Sequence, residues 1–153
     1  MTVHAVIEAA RPSDTEAVLR LLARHHLPLD GLEGHLATTL VARHNGDVVG
    51  SAALEVYPDG ALLRSVAVSP DVQGQGLGRA LTDAAIRLAQ DLRVPALYLL
   101  TTTAERYFPA FGFEPIARAD VPPAVRTSIE FASACPSSAT VMRRSICEPA
   151  ASE

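Results

Sequence analysis

Residues 3–10 (VHAVIEAA), apolar except at His4 and Glu8, read as a first strand. A helical period follows. In PSDTEAVLRLLARHH, Val18, Leu21 and Leu22 form the stripe of an amphipathic helix. Ser13 and Glu16 predict a capping box at its start, and Pro28 lies beyond its end. A second, short helix over 29–36 is only weakly patterned. Residues 38–70 divide into three strands, with turns at Asn45-Gly46 and at Pro58-Asp59-Gly60. The last of them, 61–68, runs straight into a glycine-rich segment. From Gly76 to about Leu92, Leu77, Leu81, Ala84 and Leu88 recur at helical spacing. ALYLLT (96–101) reads as a short buried strand, and AERYFPAFGF (104–113) as a short helix closed by Gly112. Residues 113–117 and 140–144 supply two final strands. The segment between them, RADVPPAVRTSIEFASACPSSA, is too polar and proline-rich for a core element; long insertions of this kind are often functional. The order β-α-(α)-β-β-β-α-β-α-β-β predicts an α/β domain with a mixed sheet.

Composition narrows the functions open to such a domain. The 153 residues suit one domain, expected over 1–146 with a tail at 147–153. There is no apolar run long enough to span a bilayer and no basic-then-apolar leader, so a cytoplasmic protein is expected. A net charge of -4 disfavours nucleic acid and anionic membranes as partners. Every basic side chain other than histidine is arginine, and the absence of lysine excludes Schiff-base chemistry. Cys135 and Cys147 lack CxxC spacing and read as reduced thiols. The adjacent His25 and His26 would point about 100° apart on a helix, and HExxH is absent, so no metal is expected.

The glycine-rich stretch, VSPDVQGQGLGRAL (68–81), is the strongest chemical signal. A strand leads into glycines that open a helix, which presents unpaired N–H groups and the positive end of a dipole to an anion. Arg79 adds a cation in the first turn. A P-loop would need lysine. A dinucleotide fingerprint would need a third glycine where Arg79 or Leu81 stands. What fits is Q-x-x-G-x-G at Gln73, Gly76 and Gly78, after a strand ending V-A-V-S-P.

With that pattern the chain resembles the GNAT superfamily of N-acetyltransferases, whose pyrophosphate loop reads [RQ]xxGx[GA]. The resemblance extends to LYLLT and to FGFEP. It implies a mixed sheet of about seven strands, with a cleft for acetyl-CoA between splayed fourth and fifth strands. It further implies that the backbone of Val66, Ala67 and Val68 pairs with the pantetheine arm. Gln73, Gly74, Gln75, Gly76, Leu77, Gly78 and Arg79 would surround the pyrophosphate. Homodimers are common in the superfamily.

Acetyl transfer needs a neutral amine, and deprotonating a primary ammonium at neutral pH costs roughly 4 kcal/mol. Glu55, in the apolar strand SAALEVY, is the candidate base, or else an exposed or edge-paired glutamate. Many members of the superfamily place a tyrosine four residues before the glycine of GF, as general acid. Here that position is Phe108, which could instead pack on the pantetheine arm, and Tyr107 precedes it. Arg64 and Arg126 are candidates for a substrate carboxylate; for Arg64 the alternative is a surface ion pair. Two converging arginines would suit a small acidic amino acid. LRSVAVSP, LLTTTAERYFPAFGFEP and the tail from residue 120 are similar to small arsenic-resistance N-acetyltransferases and, more distantly, to the acetyltransferase domain of N-acetylglutamate synthases. That similarity implies glutamate-like acceptors. A non-catalytic acetyl-CoA sensor and an acetyltransferase for protein N-termini are the competing readings.

Overall fold

The two periodicities sort the chain into one sheet with helices on both faces. The structure, a computed structural model, describes residues 5–27, 29, 32–74, 76–101, 104, 106–128 and 139–146. The strands are β1 (Val6–Ala9), β2 (Thr39–His44), β3 (Asp47–Tyr57), β4 (Gly60–Val68), β5 (Ala96–Thr101), β6 (Glu114–Ile116) and β7 (Thr140–Ser145). They lie in the order β1-β2-β3-β4-β5-β7-β6, and only β4 and β5 pair in parallel.

Alternation along β2 and β3 divides the core. Val41 and Ala53 face helix α1 (Thr15–Arg24) and pack with Val18, Leu21 and Leu22. Ala42, Ala52 and Leu54 face helix α2 (Leu77–Asp91) and pack with Leu81, Ala85 and Ile86. The two helices therefore cover opposite faces. A Cβ on Gly50 would come within 2.7 Å of Leu81 Cδ1, so glycine there is what lets α2 lie close on β3.

Three local expectations are corrected. Ser13 does not cap α1: Pro12–Asp14 forms a 3-10 turn and Asp14 occupies the cap position, while Glu16 pairs with Arg20 at 3.2 Å. Among the described residues of 104–113, the helical part is a 3-10 turn over Phe108–Phe111, with Pro109 inside it. The insertion does contribute to the core. Pro123 opens a single helical turn, α3 (Pro123–Arg126), and Val121 and Val125 are buried against Leu62 and Tyr98. Its Ala124 N–H donates to Asp59 Oδ2 at 2.9 Å, fastening α3 to the turn between β3 and β4. The weakly patterned segment before β2 is a 3-10 run, Leu32–Thr38, kinked at His35.

Asp14 explains the entry into α1. Arg43 of β2 donates Nη1 and Nη2 to its two oxygens at 3.0 and 2.9 Å and Nε to Glu8 of β1 at 2.7 Å. Hydrogen bonding from Arg43, then from the Arg11 N–H, holds the Asp14 carboxyl below its ordinary value. A lowered carboxylate pKa stabilises the fold above the unfolded value, and that contribution is lost as pH falls through the folded one. Asp14→Asn should therefore cost about 1–3 kcal/mol near neutral pH, with the gap to wild type closing below about pH 4. Urea melts at several pH values measure this; a gap that stays constant down to acid would refute it.

Candidate active site

The site begins where β4 and β5 part. They pair only at Ala61 with Leu97 and Leu62 with Tyr98, at the start of both strands. Beyond Leu62 the strands diverge. On its other side β4 bulges: Ser51 pairs with Ala67, but Ala53 pairs with Arg64, so β4 advances three residues while β3 advances two. The extra residue falls at Ser65, which has φ +61. Ser51 Oγ donates to Ser65 O (2.7 Å) and Arg64 Nε donates to Ser65 Oγ (2.9 Å), which hold this sparsely populated conformation.

Below the bulge Val66, Ala67 and Val68 border a cleft of about 500 Å³. The Val68–Ser69 peptide turns its N–H to Val49 O at 2.7 Å, so the Val68 carbonyl faces the splay. There it meets His25 Nε2 at 2.8 Å and accepts from Gln73 Nε2 at 3.1 Å. A carbonyl only accepts, so His25 carries its proton on Nε2. Gly74, Gly76, Leu77, Gly78 and Arg79 form the opposite lip. Gly76, with φ +81, is the N-cap of α2, with no side chain capping the helix and no acidic residue in its first turn. The first N–H groups of such a helix have no partner within it and suit an anion. Cβ atoms added to Gly74 or Gly76 would meet nothing within 4 Å, so open space lies against bare backbone at both. The Arg79 guanidinium rests 5.3 Å above the Phe111 ring centroid, beside this lip. These features fit a diphosphate. Gln75 lies outside the described residues.

Tyr107 and Phe108 part company. Phe108 is buried in the core, edge-on to Phe113 at 5.7 Å, and does not border the cleft; the expectation that it packs against the cofactor is not supported. Tyr107 does border it, 38% exposed and braced by Phe108 and Phe111. Its hydroxyl would lie 3.6 Å from a Cβ on Gly78.

Glu55 and Arg64 are brought together, but not as an exposed base and a free cation. Both are buried, at 1% and 2% exposure, and Arg64 Nη1 donates to Glu55 Oε2 at 2.8 Å. The anion that Arg64 needed is thus Glu55. Tyr57 Oη donates to Glu55 Oε1 at 2.7 Å, and His35 Nε2 lies 3.8 Å from that same oxygen. Burial pushes the Glu55 carboxyl up, but hydrogen bonding outweighs it and holds the group below its ordinary value. The bonds that hold it ionised come from Arg64 and Tyr57, and Ser128 lies beside them with its buried Oγ outside hydrogen-bonding geometry. Burial and the Glu55 bond push the Tyr57 hydroxyl up to about 12. Arg126 stands apart, exposed at the end of α3.

His35, Tyr57 and Ser128 belong to no motif in the sequence. Tyr57 was within reach, because positions 55 and 57 share a strand face. The histidine pair at the end of α1 was weighed only as a metal site. Among the described residues no cluster of histidine, cysteine and carboxylate side chains could hold a metal.

With this geometry in view, the chain can be set beside known proteins. Residues 35–115 match the family model described as Acetyltransferase (GNAT) domain. The chain is 34% identical over 122 residues to an amino-acid acetyltransferase of Mycobacterium tuberculosis, covering 72% of this chain and 69% of that one. It is 27% identical over 114 residues to the amino-acid acetyltransferase of Neisseria meningitidis, covering 73% of this chain but only 25% of that longer protein. A Mycobacterium tuberculosis protein crystallised with CoA and NLQ superposes with TM-score 0.79 at 27% identity, covering 93% of this chain and 99% of the other. Neisseria gonorrhoeae N-acetylglutamate synthase, complexed with coenzyme A and N-acetyl-glutamate, shares the fold at TM-score 0.79 and 23% identity, over 96% of this chain and 36% of its own. The protein belongs to the GNAT acetyltransferases. It is an acetyl-CoA-dependent N-acetyltransferase related to amino-acid acetyltransferases. Among the described residues no helix is long and apolar enough to cross a membrane.

Proposed function

We propose that the protein acetylates the amine of a small, glutamate-like amino acid, natural or toxic, and that arsenic- and phosphinothricin-type analogues fall within its range. The supporting observation is the buried Glu55–Arg64 pair at the apex of the splay, enclosed by Tyr57, His35 and the insertion residue Ser128. A cluster so enclosed suits a compact acceptor better than a protein chain. The resemblance to amino-acid acetyltransferases points the same way.

In this reading the N–H groups of Gly76, Leu77, Gly78 and Arg79 bind the pyrophosphate, with Arg79 held over it by Phe111. Gln73 steadies the loop through Val68 O, and the bulged backbone of Val66 and Ala67 receives the pantetheine arm. Phe108 stands where the family tyrosine would, so the departing thiolate takes its proton from Tyr107, which borders the cleft, or from water. Arg64 orders the site through Glu55. Of the two arginines singled out, Arg126 is then the one that meets the substrate's side-chain carboxylate from the insertion.

Thiol release from acetyl-CoA, measured against glutamate, glutamine, aspartate, phosphinothricin, arsinothricin, a polyamine and an N-terminal peptide, tests this. Turnover should be confined to the glutamate-like compounds. In Arg126→Ala, KM for the acidic members should rise about tenfold or more, with KM for acetyl-CoA unchanged. Turnover of the peptide alone would refute the substrate class.

A further inference from the structure

Acetylation of an ammonium group releases two protons from nitrogen. One must leave before attack, so that the lone pair can form the C–N bond. The other ends on sulfur once the C–S bond breaks. Glu55 is poorly placed for the first task. Its side chain is 1% exposed, and both oxygens already accept, from Arg64 at 2.8 Å and Tyr57 at 2.7 Å. A carboxylate held ionised below its usual range is also a weak base.

His35 has the access that Glu55 lacks. Its side chain is 26% exposed, and its Nε2 lies 3.8 Å from Glu55 Oε1. That is ion-pairing distance, and hydrogen bonds of this type are commonly long before substrate binds. The backbone is arranged to hold the ring there. His35 breaks the 3-10 run with φ -124 and ψ 22, and its carbonyl accepts from Thr39 Oγ1 at 3.0 Å. Thr38 donates to Leu54 O, which fastens the segment to β3 beside Glu55. Glu55 pairs with Leu62, the last β4 residue to pair with β5, so the carboxylate that the ring approaches belongs to the register from which the two strands part. Facing it from β3 are Glu55 and the Tyr57 ring, 6.1 Å away, with Arg64 of β4 behind Glu55 and Ser128 beyond α3.

We infer that His35 is the catalytic base that deprotonates the acceptor amine, and that Glu55 orients it. With Nε2–H turned to Glu55, Nδ1 is left as the nitrogen that takes the proton. The neutral amine then attacks the thioester carbon and the C–N bond forms. The C–S bond breaks with its electron pair on sulfur. The second N–H proton goes to the thiolate by way of Tyr107 or water, and His35 returns its proton to solvent. The inference rests on the proposed acceptor site above.

The test compares wild type, His35→Ala and His35→Gln with the best amino acid of the panel, following kcat/KM against pH. Both variants should lose about 10²-fold in kcat/KM. They should also lose the ascending limb of the wild-type pH profile and bind acetyl-CoA in calorimetry as wild type does. Added imidazole should restore part of the His35→Ala rate, which a merely structural role would not allow. Retention of the limb, a loss below about threefold, or a loss that imidazole does not relieve would overturn the role of His35 while leaving the acetyltransferase reading intact. A wild type that turns over none of the amines would overturn both.

Discussion

Gly76→Glu is expected to abolish acetyl-CoA binding, lowering affinity by about a thousandfold, while the protein still folds. Gly76 caps α2 with φ +81, and a Cβ there would meet nothing within 4 Å. No neighbour has to move, so the structural cost is the left-handed strain alone, about 1–2 kcal/mol. The binding cost is electrostatic. The new carboxylate would share the lip of the cleft with the diphosphate. One unit charge about 4 Å from a single like charge costs about 4 kcal/mol at an effective dielectric constant of 20, and about 4.1 kcal/mol is a thousandfold in Kd. Gly76→Ala carries the same strain without the charge and should bind within about fivefold of wild type. Calorimetry with CoA, alongside thermal melts, separates the two. Tight binding by the glutamate variant would show that the pyrophosphate lies elsewhere.

The loop could be read in advance because its chemistry is local. Glycines, an arginine and a helix start sit within a few residues, and backbone N–H groups need no partner from afar. The sheet was legible for a related reason: alternation in β3 and the Asn45-Gly46 turn are properties of neighbouring residues. What was not legible depends on which distant residues meet. Glu55 and Arg64 each stand out as a charge in an apolar strand, readable as a base and a carboxylate clamp or as an edge-paired glutamate and a surface ion pair. Antiparallel pairing of β3 with β4, shifted by the bulge at Ser65, makes them partners instead. No spacing rule announces a bulge at a serine with φ +61. Phe108 and Tyr107 were separated by the same kind of information. The short turn at Phe108–Phe111 drives one ring into the core and leaves the other at the cleft. Val121 and Val125 were hidden by their setting, since two apolar residues among prolines look like a loop until Leu62 and Tyr98 are seen beneath them.

Because Arg64 and Glu55 neutralise one another, Arg64→Ala should act on stability before it acts on any substrate. The guanidinium is fully buried, and its removal leaves the Glu55 carboxylate uncompensated in the interior. Breaking such a pair costs about 3–5 kcal/mol, a large share of the 5–15 kcal/mol typical of a domain. At roughly 2–4 °C per kcal/mol for this size, the melting temperature should fall by about 6–20 °C. Glu55→Gln should cost a similar amount, since it strands the arginine. The double variant Arg64→Met, Glu55→Leu removes both charges at similar volume and should regain most of the loss. Activity should not return with stability, because His35 would then face a leucine in place of the carboxylate that orients it. A double variant that melts like wild type yet turns over at less than about one hundredth of its rate would assign the pair to the chemistry as well as to the fold. A double variant as unstable as the single ones would mean that Ser65 and Tyr57, which also hydrogen-bond to the pair, bind the cluster together more strongly than its opposite charges do.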